Sequence, residues 1–332
     1  MVEDSQKSGA GFTFSGALWK RGIGTVPLSS ANEFIAAFDE HEGLYLGHMR
    51  AFETRPSREF LLNDLKFHPL AVEDALCQHE RPGLQEFQDS LFLEATAIRP
   101  GEAEDQYSQV SFFLGKDYLV TVCIDDFPVA ELLRDRWQDH PDEFGESPAY
   151  LLHSLLDEIV DDYFPATDSI QSRVEELEER IYGGERTAVQ EVMRIKRRLL
   201  EMRRRLTPIR DVINTLLRRD VTLVPHDAKP YFQDVYDHVL RLTELIDLNR
   251  DILATVLDAQ LSITSNRLNE VMRSMTVLAT LLMTGALVAG VYGMNFDFMP
   301  ELHWKFGYPF AVGLMIFLSV IELILFKWKK YI

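Results

Sequence analysis

The stretch "SMTVLATLLMTGALVAGVYGMN", Ser274 to Asn295, decides how the rest of the sequence is read. From Ser274 to Tyr292 it holds no charged side chain. Such a run is long enough to cross a hydrocarbon core of roughly 30 Å as one helix. A second run, "FGYPFAVGLMIFLSVIELILF" from Phe306 to Phe326, has Glu322 as its one charge. One run of this kind is also what a buried core helix looks like. Two of them near the C-terminus, separated by a short loop, read as transmembrane helices at 274–292 and 306–326, with a connecting loop at 293–305 and a basic tail at 327–332.

Working back from Ser274, no proline occurs between Pro230 and Pro300, and Gly285 is the first glycine after Tyr231. Apolar residues recur at near-heptad spacing through Val235, Val239, Leu242, Ile246, Ile252, Val256, Leu261 and Leu268. The pattern predicts a single helix over 231–292, on the order of 90 Å long at 1.5 Å per residue. A rod of that length is not stable alone in water and needs partner helices, so the chain is expected to form a homo-oligomer whose stalk continues into the membrane.

On a helical wheel, Asn269, Met272, Met275, Ala279, Met283, Ala286 and Gly290 fall within about 60° of one line. Small residues at such spacing serve close helix packing in lipid; the same face, repeated in a ring of identical helices, would line a narrow aqueous axis. The periodicity fits both. Beyond the helix stand Gly293, Met294 and Asn295. A helix C-terminus exposes unpaired carbonyls with partial negative charge, and glycine lets the backbone leave the helix through conformations closed to other residues. Several such ends together make a ring of carbonyl dipoles, to which Asn295 adds an amide oxygen. Hydrated Mg²⁺, which gives up its water reluctantly, is well held by hydrogen bonds to its water shell. Asn295 as a simple helix cap is the plainer reading.

Upstream, residues 1–145 alternate short apolar runs such as "GLYLGHM", "SLFLEATAI", "QYSQVSFFLG" and "DYLVTVCID" with helical patterns such as "SREFLLNDLKF", "HPLAVEDAL" and "PVAELLRDRW", which predicts an α/β domain. Residues 146–230 read as a helical hairpin: an acidic helix ending at Gly183-Gly184, then an arginine-rich one. The formal net charge of −18 argues against nucleic acid and suits a cationic partner. The N-terminal "MVEDSQKSGAGF" lacks the apolar centre of a signal peptide, which predicts a cytosolic domain. Arg267, Arg273, Lys327, Lys329 and Lys330 flank the spans on one side, against Lys305 alone in the loop, so both termini are expected on the cytoplasmic side of the membrane. Cys77 and Cys123 are the two cysteines and are expected to be reduced.

"YGMNF" followed by "MPEL", "W..GYP", a second span and "KWKKYI" resembles the CorA family of magnesium and cobalt transporters, with its Gly-Met-Asn signature between two C-terminal membrane helices. "FHPLAVEDAL", "DEIVDDYF", "PYFQDVYDH" and "NEVM" look like family segments in the family order, so the likeness covers most of the chain. It implies a homopentameric, funnel-shaped channel in the cell membrane that admits Mg²⁺ and Co²⁺. It implies Gly293, Met294 and Asn295 as selectivity filter, and Asn269, Met272, Met275 and Met283 along the pore, joined on the same face by Ala286 and Gly290. It further implies Asp234 as a ligand for regulatory Mg²⁺ between subunits, with Glu102, Glu104 and Asp105 in the loop where an acidic partner is expected. The sequence departs from the family at Met283-Thr284-Gly285-Ala286, where members commonly carry a proline and a threonine, so that Ala286 replaces a pore hydroxyl. Glu322 is also unusual; placed near the cytoplasmic interface, it would snorkel or pair with a neighbouring lysine.

The reading is therefore a divalent cation channel, driven by the membrane potential and closed by cytosolic Mg²⁺. Its rivals are a zinc transporter of the same superfamily, for which Cys77-Gln78-His79 is a weak signal, and a non-conducting coiled-coil scaffold anchored in the membrane. No Gly-rich phosphate loop or catalytic constellation appears, so an enzyme is not expected.

Overall fold

Strand-forming runs between Phe12 and Cys123 build one seven-stranded sheet. Its strands are β1 (Phe12–Lys20), β2 (Gly24–Leu28), β3 (Leu44–Ala51), β4 (Leu84–Phe87), β5 (Ser90–Arg99), β6 (Gln106–Leu114) and β7 (Tyr118–Cys123). They lie in the order β2-β1-β3-β7-β6-β5-β4. All neighbours are antiparallel except β3 and β7, which run parallel with Tyr45 opposite Tyr118. The computed structural model describes residues 11–41, 43–77, 83–87, 89–101, 104–140, 147–183, 188–218, 221–295, 299–300, 304–329 and 331.

β5 is buried from Leu91 to Ile98 without alternation, as expected of a strand covered on both faces. One core joins Phe14, Tyr45 and Phe113 of the sheet to Phe34 of α1 (Ala31–Phe38), Val72 of α3 (Pro69–Ala75) and Phe60, where α2 (Thr54–Glu59) passes into a π-helical turn, Phe60–Asp64. A second set of helices packs elsewhere on the sheet: α4 (Pro128–Asp139) against β1, β2 and β3, and α5 (Pro148–Asp161) against β3, β5, β6 and β7. Ser147 caps α5, its hydroxyl accepting the Ala149 N–H at 3.3 Å. Three short elements escape the sequence pattern, among them the four-residue β4. β2 holds Gly24, with φ of 95°, and Pro27, which read as breakers but are tolerated on an edge strand; α1 is only eight residues long.

The acidic helix predicted as one piece is two, α5 and α6 (Tyr163–Tyr182), parted at Asp162. Pro165 has no N–H to give the Asp161 carbonyl, which interrupts the ladder there. The arginine-rich helix is α7 (Ala188–Arg218). Ion pairs do join this hairpin, but in the reverse sense to the helices' net charge: Glu191 of the arginine-rich helix receives Arg173 at 2.8 Å and Arg180 at 3.0 Å from the acidic one.

After a 3-10 turn at His226–Ala228 comes α8, a single helix of 64 residues from Lys229 to Tyr292. Phe232, Val235, Val239, Leu242, Ile246, Leu253 and Val256 form its buried row, spaced alternately three and four residues apart, and none is more than 1% exposed. Asn249 occupies the remaining place in that row, 1% exposed, its Nδ2 donating to the Leu245 carbonyl at 2.9 Å. The expected row differs from Ile252 on: Ile252 is only half-buried, with Leu253 in the seam instead, while Leu261 and Leu268 are 69% and 61% exposed on the single chain. Continued from Leu253, the seven-residue repeat of the buried row falls on Gln260 and Arg267, so Leu261 and Leu268 stand one position off the seam.

The residues fall into two units, Met1–Arg180 with Arg186–Ala254, and Ile181–Glu185 with Thr255–Ile332. The second contains the apolar part of α8 and its antiparallel neighbour α9 (Gly307–Trp328). Both helices are long and apolar enough to cross a membrane, and only 11% and 6% of their apolar windows are buried. That exposure separates them from the core helices of a soluble protein.

Candidate functional site

Val277 and Val288 are the buried positions of the apolar half of α8. At about 100° per residue, both point within roughly 20° of one line, and Thr284, which reaches across to α9, lies on the same side. The predicted face of Asn269, Met272, Met275, Ala279, Met283, Ala286 and Gly290 is centred about 180° away. Every one of these residues is exposed on the single chain, with Met272, Met275 and Met283 at 64%, 61% and 68%. The side of α8 turned from α9 is thus made of thioethers and small residues, and nothing in the single chain covers it.

α8 ends as the motif begins. The Gly293 N–H still reaches the Ala289 carbonyl at 2.9 Å, whereas the Met294 N–H turns to Val291 at 3.3 Å, tightening the last turn. The carbonyls that follow are the unpaired ones of a helix C-terminus. Met294 and Asn295 are exposed at this end. Gly293 does not take a left-handed conformation; the described glycines with positive φ are Gly22 and Gly24. What a side chain at Gly293 would meet instead is the Ala289 carbonyl oxygen, 3.1 Å from a Cβ built there. Asp297 and Glu301, which the sequence places in the loop, lie outside the described residues.

Asp234 is exposed on α8, and its charge acts on His153 and Asp157 of α5. Beside it, Asp157, Asp161 and His238 form a cluster whose candidate ligand atoms lie within 4.8 Å of one another. His238 Nδ1 is 3.4 Å from Asp161 Oδ1 and 3.6 Å from Asp157 Oδ1. Asp157 Oδ1 and His238 Nδ1 are buried without a hydrogen bond. Burial first, then the Asp161 carboxylate, pushes the Asp157 carboxyl above its usual range. Burial lowers His153, against the opposing effect of Asp234. Two carboxylates and an imidazole so arranged are a donor set for a divalent cation, mostly oxygen and therefore suited to a hard one. The sequence signal for it was present as two i, i+4 pairs, Asp157/Asp161 and Asp234/His238, each on one face of a helix.

The acidic partners expected for Asp234 fare differently. Asp105 is not available to a cation: it is 1% exposed and bound to Arg198 at 2.7 Å, and its other contacts include the Gly101 N–H. Glu104 is exposed, and Glu102 lies outside the described residues. Glu322 also departs from expectation. Among the described residues it is paired with no lysine; its carboxylate accepts the hydroxyl of Thr284, ten residues into the span and so about 15 Å beyond Ser274.

The family profile described as "CorA-like Mg2+ transporter protein" matches residues 50–329. The chain is 37% identical over 269 residues to the cobalt/magnesium transport protein CorA of Thermotoga maritima, covering 80% of this chain and 77% of the relative. It is 36% identical over 283 residues to the putative metal ion transporter YfjQ of Bacillus subtilis, covering 84% and 86%. In fold it is similar to the complete structure of the CorA magnesium transporter from Methanocaldococcus jannaschii, with a TM-score of 0.80 at 19% identity over 95% of this chain and 97% of that one.

Proposed function

Since this chain belongs to the CorA family of Mg²⁺ transporters, membrane proteins rather than enzymes, we propose that it is a homopentameric channel admitting hydrated Mg²⁺, and Co²⁺ with it, to the cytosol. The observation that carries the reading is the exposed face of α8, turned away from α9 and ending at Gly293, Met294 and Asn295. Five copies of that face around an axis give a wall of Met272, Met275, Met283, Ala286 and Gly290, with Asn269 at its inner end. At the outer end, five helix termini offer carbonyls and the Asn295 amides to the water shell of the ion, which need not be stripped. A divalent ion gains roughly 4.6 kcal/mol per 100 mV of inside-negative potential, so passive flow suffices. Both termini lie in the cytosol in this reading, and Ala286, lacking a hydroxyl, leaves the middle of the wall apolar.

Regulation is assigned to Asp234 and its surroundings. Mg²⁺ bound there would offset the carboxylates of Asp234, Asp157 and Asp161, and its loss would leave them repelling one another and their counterparts on adjacent subunits. The oxygen-rich character of this cluster favours Mg²⁺ over Zn²⁺, which prefers nitrogen and sulfur.

Uptake of Mg²⁺ into proteoliposomes at inside-negative potential tests the reading. The parent chain is expected to conduct and Asn295→Ala to lose at least about tenfold, the loss of about 1.4 kcal/mol of ion stabilisation. A parent without flux returns the scaffold reading, and an unchanged Asn295→Ala removes the filter.

A further inference from the structure

Four serine or threonine side chains punctuate the apolar part of α8. Ser274, Thr276 and Thr280 each donate to the carbonyl one turn back in their own helix, at 3.0, 2.8 and 2.8 Å. That is where a hydroxyl in an apolar helix ordinarily rests. Thr284 breaks the pattern and donates across the hairpin to Glu322 of α9. Glu322 is the one charged residue in either apolar run, and its second oxygen, Oε2, is buried without a hydrogen-bond partner. A carboxylate in an apolar span is costly, and one satisfied on a single oxygen more so. Packing alone would be served better by leucine.

Direction is what this bond adds. Val277 and Val288 touch their surroundings through apolar surface, which resists neither sliding nor rotation strongly. A hydrogen bond does resist both, because it weakens steeply as donor and acceptor fall out of line. Thr284 is the residue after Met283 and the second before Ala286, so any rotation of α8 that broke the bond would swing both of these by the same angle. We propose that Thr284 and Glu322 are positioning residues: their bond fixes the rotation of α8 about its own axis at the level where Met283 and Ala286 form the pore wall. The inference rests on that face being the wall, and extends it to a pair that touches no ion.

The test is a cross-link between copies, which does not depend on transport. In the full-length chain with Cys77→Ser, Met283→Cys places thiols on the axis, and oxidation is expected to link neighbouring subunits. Adding Thr284→Val should slow the link at least about threefold, matching the typical strength of one interhelical hydrogen bond in a membrane. Thr284→Ser keeps the hydroxyl and should restore the parent rate. Glu322→Gln keeps an acceptor oxygen and should behave like Thr284→Ser, Glu322→Leu like Thr284→Val, and the double Thr284→Val/Glu322→Leu no worse than either single. An unchanged rate in Thr284→Val overturns the proposal, as does Thr284→Ser behaving like valine, additive losses in the double variant, or no link in any background. Mg²⁺ uptake is read separately on the chain with Met283 intact: absent flux there, with the expected cross-linking pattern in the Met283→Cys series, sinks the channel and leaves the clamp.

Discussion

Asp105 is a carboxylate that reads as a cation ligand in the sequence and is half of a buried ion pair in the fold. Arg198 is 15% exposed and Asp105 1%, so removing the cation strands a charge away from water. Arg198→Met is expected to destabilise the folded unit by about 3–5 kcal/mol, and Arg198→Met/Asp105→Leu to recover most of that, in chemical unfolding followed by circular dichroism. His48 makes a second prediction. Its Nδ1 is 2.8 Å from the Thr121 hydroxyl, and burial, then Arg134, lowers its pKa to about 4 from 6.5. Between those values the unfolded chain binds a proton that the folded one refuses, so His48 contributes stability above pH 6.5 that is lost as pH falls toward 4. Carboxylates titrate nearby, so the comparison is with His48→Gln: its unfolding midpoint should fall less steeply over that window, and parallel curves would refute the assignment. At this scale the sequence showed which groups were chemically able and not which were taken. Met272, Met275 and Met283 could be put on one face because one helix carries them all, and Asn295 just past its end. Asp105 could not, because its partner is 93 residues away in the chain.

Among the elements, α8 was the most legible, because the absence of breakers over sixty residues leaves little else for the chain to do. The long strands β3, β5, β6 and β7 followed for the same reason, as runs of apolar and β-branched residues. β2 and the parting of α5 from α6 were not, since each turns on a proline whose effect depends on what lies beside it: open solvent at an edge strand, or a ladder in need of an N–H. The cluster of Asp157, Asp161 and His238 needed the packing of α5 on α8, which no local pattern reveals. The seam of α8 also divides leucines that look alike in sequence. Leu242 is wholly buried, and Leu242→Ala should cost about 2–5 kcal/mol of unfolding free energy. Leu261 is 69% exposed on the single chain, so Leu261→Ala should change that quantity by no more than about 0.5 kcal/mol. If copies associate along the stalk, the same Leu261→Ala should instead shift the assembly toward monomer on size exclusion with light scattering. A loss of stability in Leu261→Ala as large as that in Leu242→Ala would place it in the folded core.

For the whole molecule, a net charge of −18 per chain sets the terms of assembly. Like-charged copies repel, and a bound divalent cation relieves part of that repulsion where carboxylates converge. Millimolar Mg²⁺ should therefore slow limited proteolysis of the full chain in detergent several-fold, and Asp234→Ala should lose most of that protection while its Mg²⁺ uptake continues when Mg²⁺ is high on the cytosolic side. Equal protection of parent and variant would move regulation away from Asp234. Asn249 has a consequence at this same scale. Its seven apolar companions on α8 recur every heptad, so the helix slid along by seven residues, about 10 Å, would offer its neighbours nearly the same surface. One polar side chain in the row makes the two placements unequal. It acts as an index mark on a ruler of identical divisions, and a helix of 64 residues can be set down in one place only.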